Sequence, residues 1–118
     1  MIQLPNAVKA YFSASNEERL DSLMAAFDED AYVFDDNREF RGIEAIRHWC
    51  ESDILGARVR FEVTDATEQD GTYAVIASID GDFDKTNLPS PFLLKHTFKL
   101  SAGKIQELHI ALPSFGKR

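Results

Sequence analysis

Cys50 is the only cysteine among 118 residues, so no intrachain disulfide can close, and neither a CxxC pair nor a cysteine–histidine zinc cluster can be assembled. No apolar run approaches the ~18 residues that a membrane span requires. The opening Met-Ile-Gln-Leu-Pro-Asn lacks the charged segment followed by an apolar one that marks an export signal. A cytoplasmic location is the expectation. Positive charge is also scarce: 13 Lys and Arg face 20 Asp and Glu, for a net charge of −7. No stretch interleaves basic residues with stacking aromatics, so nucleic acid and anionic membranes are not expected partners. Metal-ligand spacings such as H-x-E-x-H are missing, and Asp28-Glu29-Asp30 and the 80–84 acidic string lack the EF-hand's spacing and terminal Glu. No metal and no cofactor is expected. Repeats, low-complexity tracts and linkers are absent too, which points to one domain over residues 1–118.

What is present is ordinary globular material, 44% hydrophobic and 28% charged, enough to bury one core without help. Leu4, Val8, Tyr11 and Phe12, then Leu20, Leu23, Met24 and Phe27, recur at helical spacing and predict two short amphipathic helices. Ser15-Asn-Glu-Glu18 between them fits a capping box at the start of the second. Asp28–Asp30 is expected to end that helix, with a short strand at 31–34. Ile43, Ile46, Trp49 and Cys50 form the inner stripe of a third helix.

From Ala57 onward the period becomes two. Strands are predicted at 58–68, 73–83, 91–100 and 104–112, rich in Val, Ile, Phe and Thr. Asp70-Gly71 and Ala102-Gly103 are tight antiparallel turns, because glycine tolerates the positive φ such connections need. The 84–90 connection, Asp-Lys-Thr-Asn-Leu-Pro-Ser, is a looser loop at the sheet's rim. Helices gathered before antiparallel strands indicate an α+β domain.

The helix pair, then "FDEDAYVFDD", "FRGIEAIRHW" and "GDFDKTNLPSPFLLKHTFKLSAGKIQELHI", together resemble the nuclear transport factor 2-like superfamily, in its SnoaL-like and ketosteroid-isomerase-like branches. The resemblance implies a cone: N-terminal helices packed in the concave face of a strongly curved, mostly antiparallel sheet. It also implies a deep apolar pocket and homodimers formed through the sheet's outer face. It places Asp35 where ketosteroid isomerases carry their proton-shuttling carboxylate. Tyr11 then falls at the catalytic tyrosine and His96 near the second, proton-donating acid, where a histidine departs from that pattern.

Chemically such a set makes sense. Proton abstraction beside a carbonyl needs a carboxylate near the carbon-bound hydrogen and donors for the developing oxyanion. Each residue also has a structural reading. Asp35 and Asp36 sit at a strand exit, where Asp side chains commonly bond the backbone two residues on. Tyr11 lies on the apolar face of its helix and His96 shares a face with Phe92, Leu94, Phe98 and Leu100, so both also fit as core residues. His48 and His109 are expected on solvent or interface surface. Arg58 and Arg60 are placed on a strand, either as outer-face contacts or as inner-face partners to a carboxylate.

Phe27, Trp49, Leu94, Phe98, Leu108, Ile110 and Leu112 are expected to wall the pocket, which suits a small apolar molecule with one carbonyl or hydroxyl. Two functions follow: an acid–base enzyme of isomerase, cyclase or lyase type using Asp35, or a non-catalytic ligand-binding or dimerisation module.

Overall fold

In the computed structural model, which describes residues 2–113, the first helical pattern folds as α1 (Asn6–Asn16) and the second as α2 (Leu20–Ala25). The capping box does not form. α1 runs through Ser15, whose hydroxyl donates back to the Tyr11 carbonyl at 2.7 Å, as Ser does when caught inside a helix. Glu18 instead pairs with Arg60 at 2.6 Å, and α2 starts from Arg19 with no side-chain cap.

β1 (Phe27–Asp35) begins earlier than expected and takes in the acidic run. Phe27 is therefore a strand residue, paired with Ile105, and a register shift before Tyr32 absorbs Asp28–Asp30. β2 (Arg38–Arg41) is an addition to the sequence reading; its single apolar residue, Phe40, gives no alternation to detect. Asp36 and Asn37 join the two strands at φ 53° and 65°, the left-handed pair that a two-residue hairpin demands. α3 (Ile43–Trp49) continues into a π-helical segment, Cys50–Leu55.

The period-two half of the chain forms β3 (Arg60–Gln69), β4 (Thr72–Asp80), β5 (Leu93–Ser101) and β6 (Lys104–Ala111). Arg58, at φ 51°, belongs to the turn before β3. All six strands lie in one sheet, ordered β2-β1-β6-β5-β4-β3, and every pairing is antiparallel except β1 with β6. Bulges in β3 near Thr64 and between β5 and β6 at Lys99/Leu100 bend the sheet. The helices fill the concave face, burying Val8, Leu23, Ile46, Trp49, Val75, Phe98 and Leu108 among others. This is the α+β cone. No helix among the described residues is long and apolar enough to cross a membrane.

One clasp fixes α1 against the sheet's edge. The Asn16 amide accepts from the Phe61 backbone N–H at 2.7 Å and donates to the Phe61 carbonyl at 2.9 Å. The strand at that edge has no neighbour to satisfy those groups, so the side chain mimics one. Asn16→Ala should cost about 2 kcal/mol, the loss of two half-buried hydrogen bonds. Urea unfolding checks this, and a midpoint unchanged from the parent would show the clasp to be incidental.

Candidate functional site

The sheet's register brings the site together. Asp35 pairs with Ile110 across the parallel β1–β6 ladder, Ile110 with His96 across β6–β5, and His96 with Val75 across β5–β4. The four side chains therefore form one row on the concave face. Asp35 and His96 are two strand spacings apart, roughly 10 Å between backbones, with Ile110 between them.

Asp35, the last residue of β1, turns inward and not onto the hairpin. Its Oδ2 accepts from the Trp49 indole N–H at 3.0 Å and lies 3.7 Å from the Arg38 guanidinium. Arg38 is held by closer contact with Asp53, which also takes the Ser52 hydroxyl at 2.7 Å. The cation is thus drawn toward Asp53 and only grazes Asp35. Burial raises the Asp35 pKa, opposed by the Trp49 hydrogen bond and by Arg38. Asp36 points into solvent from the turn.

Tyr11 and His96 are both fully buried. Their rings lie 6.1 Å apart within an aromatic cluster of Phe12, Phe61 and Phe98. Among the described residues the Tyr11 hydroxyl and both His96 ring nitrogens have no hydrogen-bond partner. Burial pushes the Tyr11 hydroxyl well above its ordinary range, with Cys50 and Asp35 adding to the effect. Burial also lowers His96 to about 4, although the Val75 and Leu94 backbones oppose the shift without reaching hydrogen-bond geometry. At neutral pH both groups are uncharged. The neighbouring Cys50 thiol, pushed up to about 12 by burial, stays protonated and inert.

These groups meet at one small cavity of about 80 Å³, bordered by Tyr11, Asp35, Trp49, Asp53 and His96 and closed by apolar residues including Phe61 and Ile79. Asp35, Asp53, Ile79, Leu94 and Ile110 also line a larger cleft of about 650 Å³ that continues outward. Phe83, Leu88 and Phe92 from the 81–92 connection form that cleft's far wall.

Of the expected wall, Trp49, Leu94 and Ile110 do face the cavity. Phe27, Phe98 and Leu108 border neither the cavity nor the cleft. They are buried in the closed core, because the helices sit directly on the middle of the sheet and leave space only toward its open end. Leu112 is 68% exposed at the cleft's rim. Arg58 and Arg60 face Asp82 and Glu18, not Asp35. His48 is exposed, and His109 packs on the outer face against Tyr32 and Phe34.

Sequence reading missed Arg38, Asp53 and Ile79. Asp53 had a signal, since it continues the Ile46/Trp49 stripe by one helical turn. Arg38 had none, because its strand was not visible.

A family model described as the SnoaL-like domain matches residues 8–108. Among solved structures, the chain is similar to a polyketide cyclase candidate from Sinorhizobium meliloti, at 30% identity over 92% of this chain and 95% of that one, with a TM-score of 0.82. It is also similar to a protein of ketosteroid isomerase-like fold from Catenulispora acidiphila, solved with trimethylamine (19% identity, 92% and 86% covered, TM-score 0.74). A third is a Mycobacterium tuberculosis protein in complex with estradiol-17beta-hemisuccinate (15% identity, 91% of each chain, TM-score 0.72). At those lower identities the likeness concerns the fold. No curated protein matches the chain.

The buried His96 makes stability depend on pH. Its folded pKa lies below the unfolded value of 6.5, so its contribution is complete above pH 6.5 and is lost as pH falls through about 4. The loss amounts to roughly 3 kcal/mol. Asp35 acts in the opposite sense: its raised pKa gives a contribution present at low pH and lost as pH rises through the folded value. His96→Phe should therefore flatten the acid-side decline. Urea midpoints at pH 7 and pH 4.5 test this, and equal declines in parent and variant would refute it.

Proposed function

We propose, from the premise that this chain belongs to the SnoaL-like domain family, that it binds an apolar carbonyl compound inside its cone and moves a proton on it, with Asp35 as base. The observation that carries this reading is the meeting of Asp35, Tyr11 and His96 at one cavity whose remaining wall is largely apolar.

The chemistry follows from the electrostatics. Asp35 is made more basic by burial, yet the Trp49 N–H and the nearby Arg38 favour its ionised form. A base near the carbon-bound hydrogen needs both properties. The Tyr11 hydroxyl, which burial keeps protonated, donates to the substrate oxygen, and neutral His96 supplies one further N–H. Ile79, Leu94 and Ile110 seat the apolar body. The steroid ester in the M. tuberculosis protein and the cyclase description of the S. meliloti protein support ring-bearing, apolar ligands for this architecture.

A second reading, a binding or dimerisation module without catalysis, draws on the small inner cavity, which holds less than a whole ring. In either case we take two copies to pair through the outer sheet face, where Tyr32, Phe34, Ile76 and His109 are half-buried. Sedimentation equilibrium tests that pairing.

The first experiment titrates a panel of apolar enones, phenols and steroid-like carbonyls, following Trp49, the only tryptophan. For each enone that binds, deuterium exchange at the carbon beside its carbonyl is followed by NMR. The parent should accelerate exchange, and Asp35→Asn should slow it by ~100-fold or more while affinity changes only a few-fold. Binding without exchange selects the module, and no binding by any compound removes the pocket reading.

A further inference from the structure

One nitrogen of Arg38 faces two carboxylates. Its Nη2 is in close contact with Asp53 Oδ2 and lies 3.7 Å from Asp35 Oδ2, the second of these beyond hydrogen-bond range. Arg38 is the one cation among the described residues that line the cleft, so its position decides which acid it neutralises. The β1–β2 ladder sets Arg38 directly opposite Asp35, and its side chain is half exposed, with room to reach either carboxylate. Asp53 is held more firmly. It comes from the π-helical segment Cys50–Leu55, the kind of helical irregularity often found at functional sites. Its Oδ1 lies 2.7 Å from the Ser52 hydroxyl while Oδ2 takes the guanidinium. Trp49, one turn earlier on the same helical run, donates to Asp35. One helix therefore gives Asp35 a neutral N–H and engages the cation elsewhere.

We propose that Asp53 is a positioning residue for the base: by holding the Arg38 guanidinium away from Asp35, it keeps that carboxylate able to take a proton. This rests on the reading of Asp35 as base and deepens it, by naming the group that sets how strong a base it is. A guanidinium bonded directly to Asp35 would favour the ionised form about tenfold or more. With Arg38 engaged by Asp53, burial remains the largest influence on Asp35, ahead of both Trp49 and Arg38. The other titratable groups that face Asp35 bring no second cation at neutral pH: Asp36 from the turn is acidic, and Tyr11 and His96 across the cavity are uncharged.

Carbon-13 NMR titration of the Asp35 carboxyl tests the proposal with no ligand present, its resonance being the one lost in Asp35→Asn. Arg38→Met should raise the proton affinity of Asp35 by less than about threefold, because a half-exposed cation that only grazes it contributes little. Asp53→Asn keeps the shape and removes the charge. Arg38 then pairs with Asp35, and the proton affinity should fall about tenfold. The same substitution made on Arg38→Met should change it about twofold or less, since only the direct field of Asp53 is then lost. For any enone whose exchange the parent accelerates, Asp53→Asn should slow exchange several-fold and move the rising limb of its pH profile to lower pH.

A tenfold rise in Arg38→Met would overturn the proposal, by showing the cation already bound to Asp35. So would an Asp53→Asn titration that matches the parent, or one that falls equally with and without Arg38. If the titrations behave as stated while no enone exchanges, the hold of Asp53 on Arg38 is established and only the role of Asp35 as base falls.

Discussion

A carboxylate held at the edge of an apolar interior needs a fixed partner, and here that partner is the Trp49 indole, whose N–H reaches Asp35 Oδ2 at 3.0 Å. The bond ties α3 to the end of β1. It also gives the largest buried side chain of the helical layer a polar anchor, since an indole N–H left unpaired in the core would carry a desolvation cost. Once that bond is set, the position of Arg38 matters. Close contact with Asp53 keeps the guanidinium at the mouth, 3.7 Å from Asp35, so the carboxylate keeps much of the basicity that burial confers. A bidentate pair with Arg38 would have removed it.

Deeper in, three polar atoms of the core find no partner among the described residues, the Tyr11 hydroxyl oxygen and the two His96 nitrogens. Unpaired buried groups cost about 1–3 kcal/mol each. Against that stands dense aromatic packing: Tyr11 touches Phe12, Phe27, Phe61 and Phe98, and His96 lies nearly parallel to Phe98, 6.3 Å away. Replacing the polar pair with apolar residues would be the stabilising choice for a core alone. Both residues border the small cavity, and on the proposed reading a ligand completes them, stability being given up for binding.

The helices, the four long strands and the two glycine turns were readable because each is written in local periodicity and turn chemistry: Ile46 and Trp49 at helical spacing, Val75 and Ala77 alternating, Gly71 and Gly103 at positive φ. Asp35, Tyr11 and His96 were reachable through resemblance, whereas their meeting at one cavity depends on sheet register. What escaped has identifiable causes. β2 has four residues with one apolar side chain, too little for a pattern. Phe27 continued the helical spacing of Leu20, Leu23 and Met24, yet pairing with Ile105 claimed it for the sheet. Phe98 and Leu108 alternate in phase with true pocket residues, and nothing in a strand's own sequence says how far along it the helices sit.

How far along the strands the helices sit also sets where the cavity beside Asp35 opens. The parallel pairing of β1 with β6 makes both strands finish at the same end of the sheet, so Asp35 and Ile110 arrive side by side at their exits. An antiparallel β1 would have carried its final carboxylate to the opposite end, away from His96. The 81–92 connection leaves β4 at that same end and contributes Phe83, Leu88 and Phe92 to the cleft wall. Space, polarity and a covering loop thus coincide at one mouth of the cone as a result of strand order. The closed centre, where Phe98 and Leu108 pack under the helices, supplies the rigidity that holds His96 and Ile110 in register.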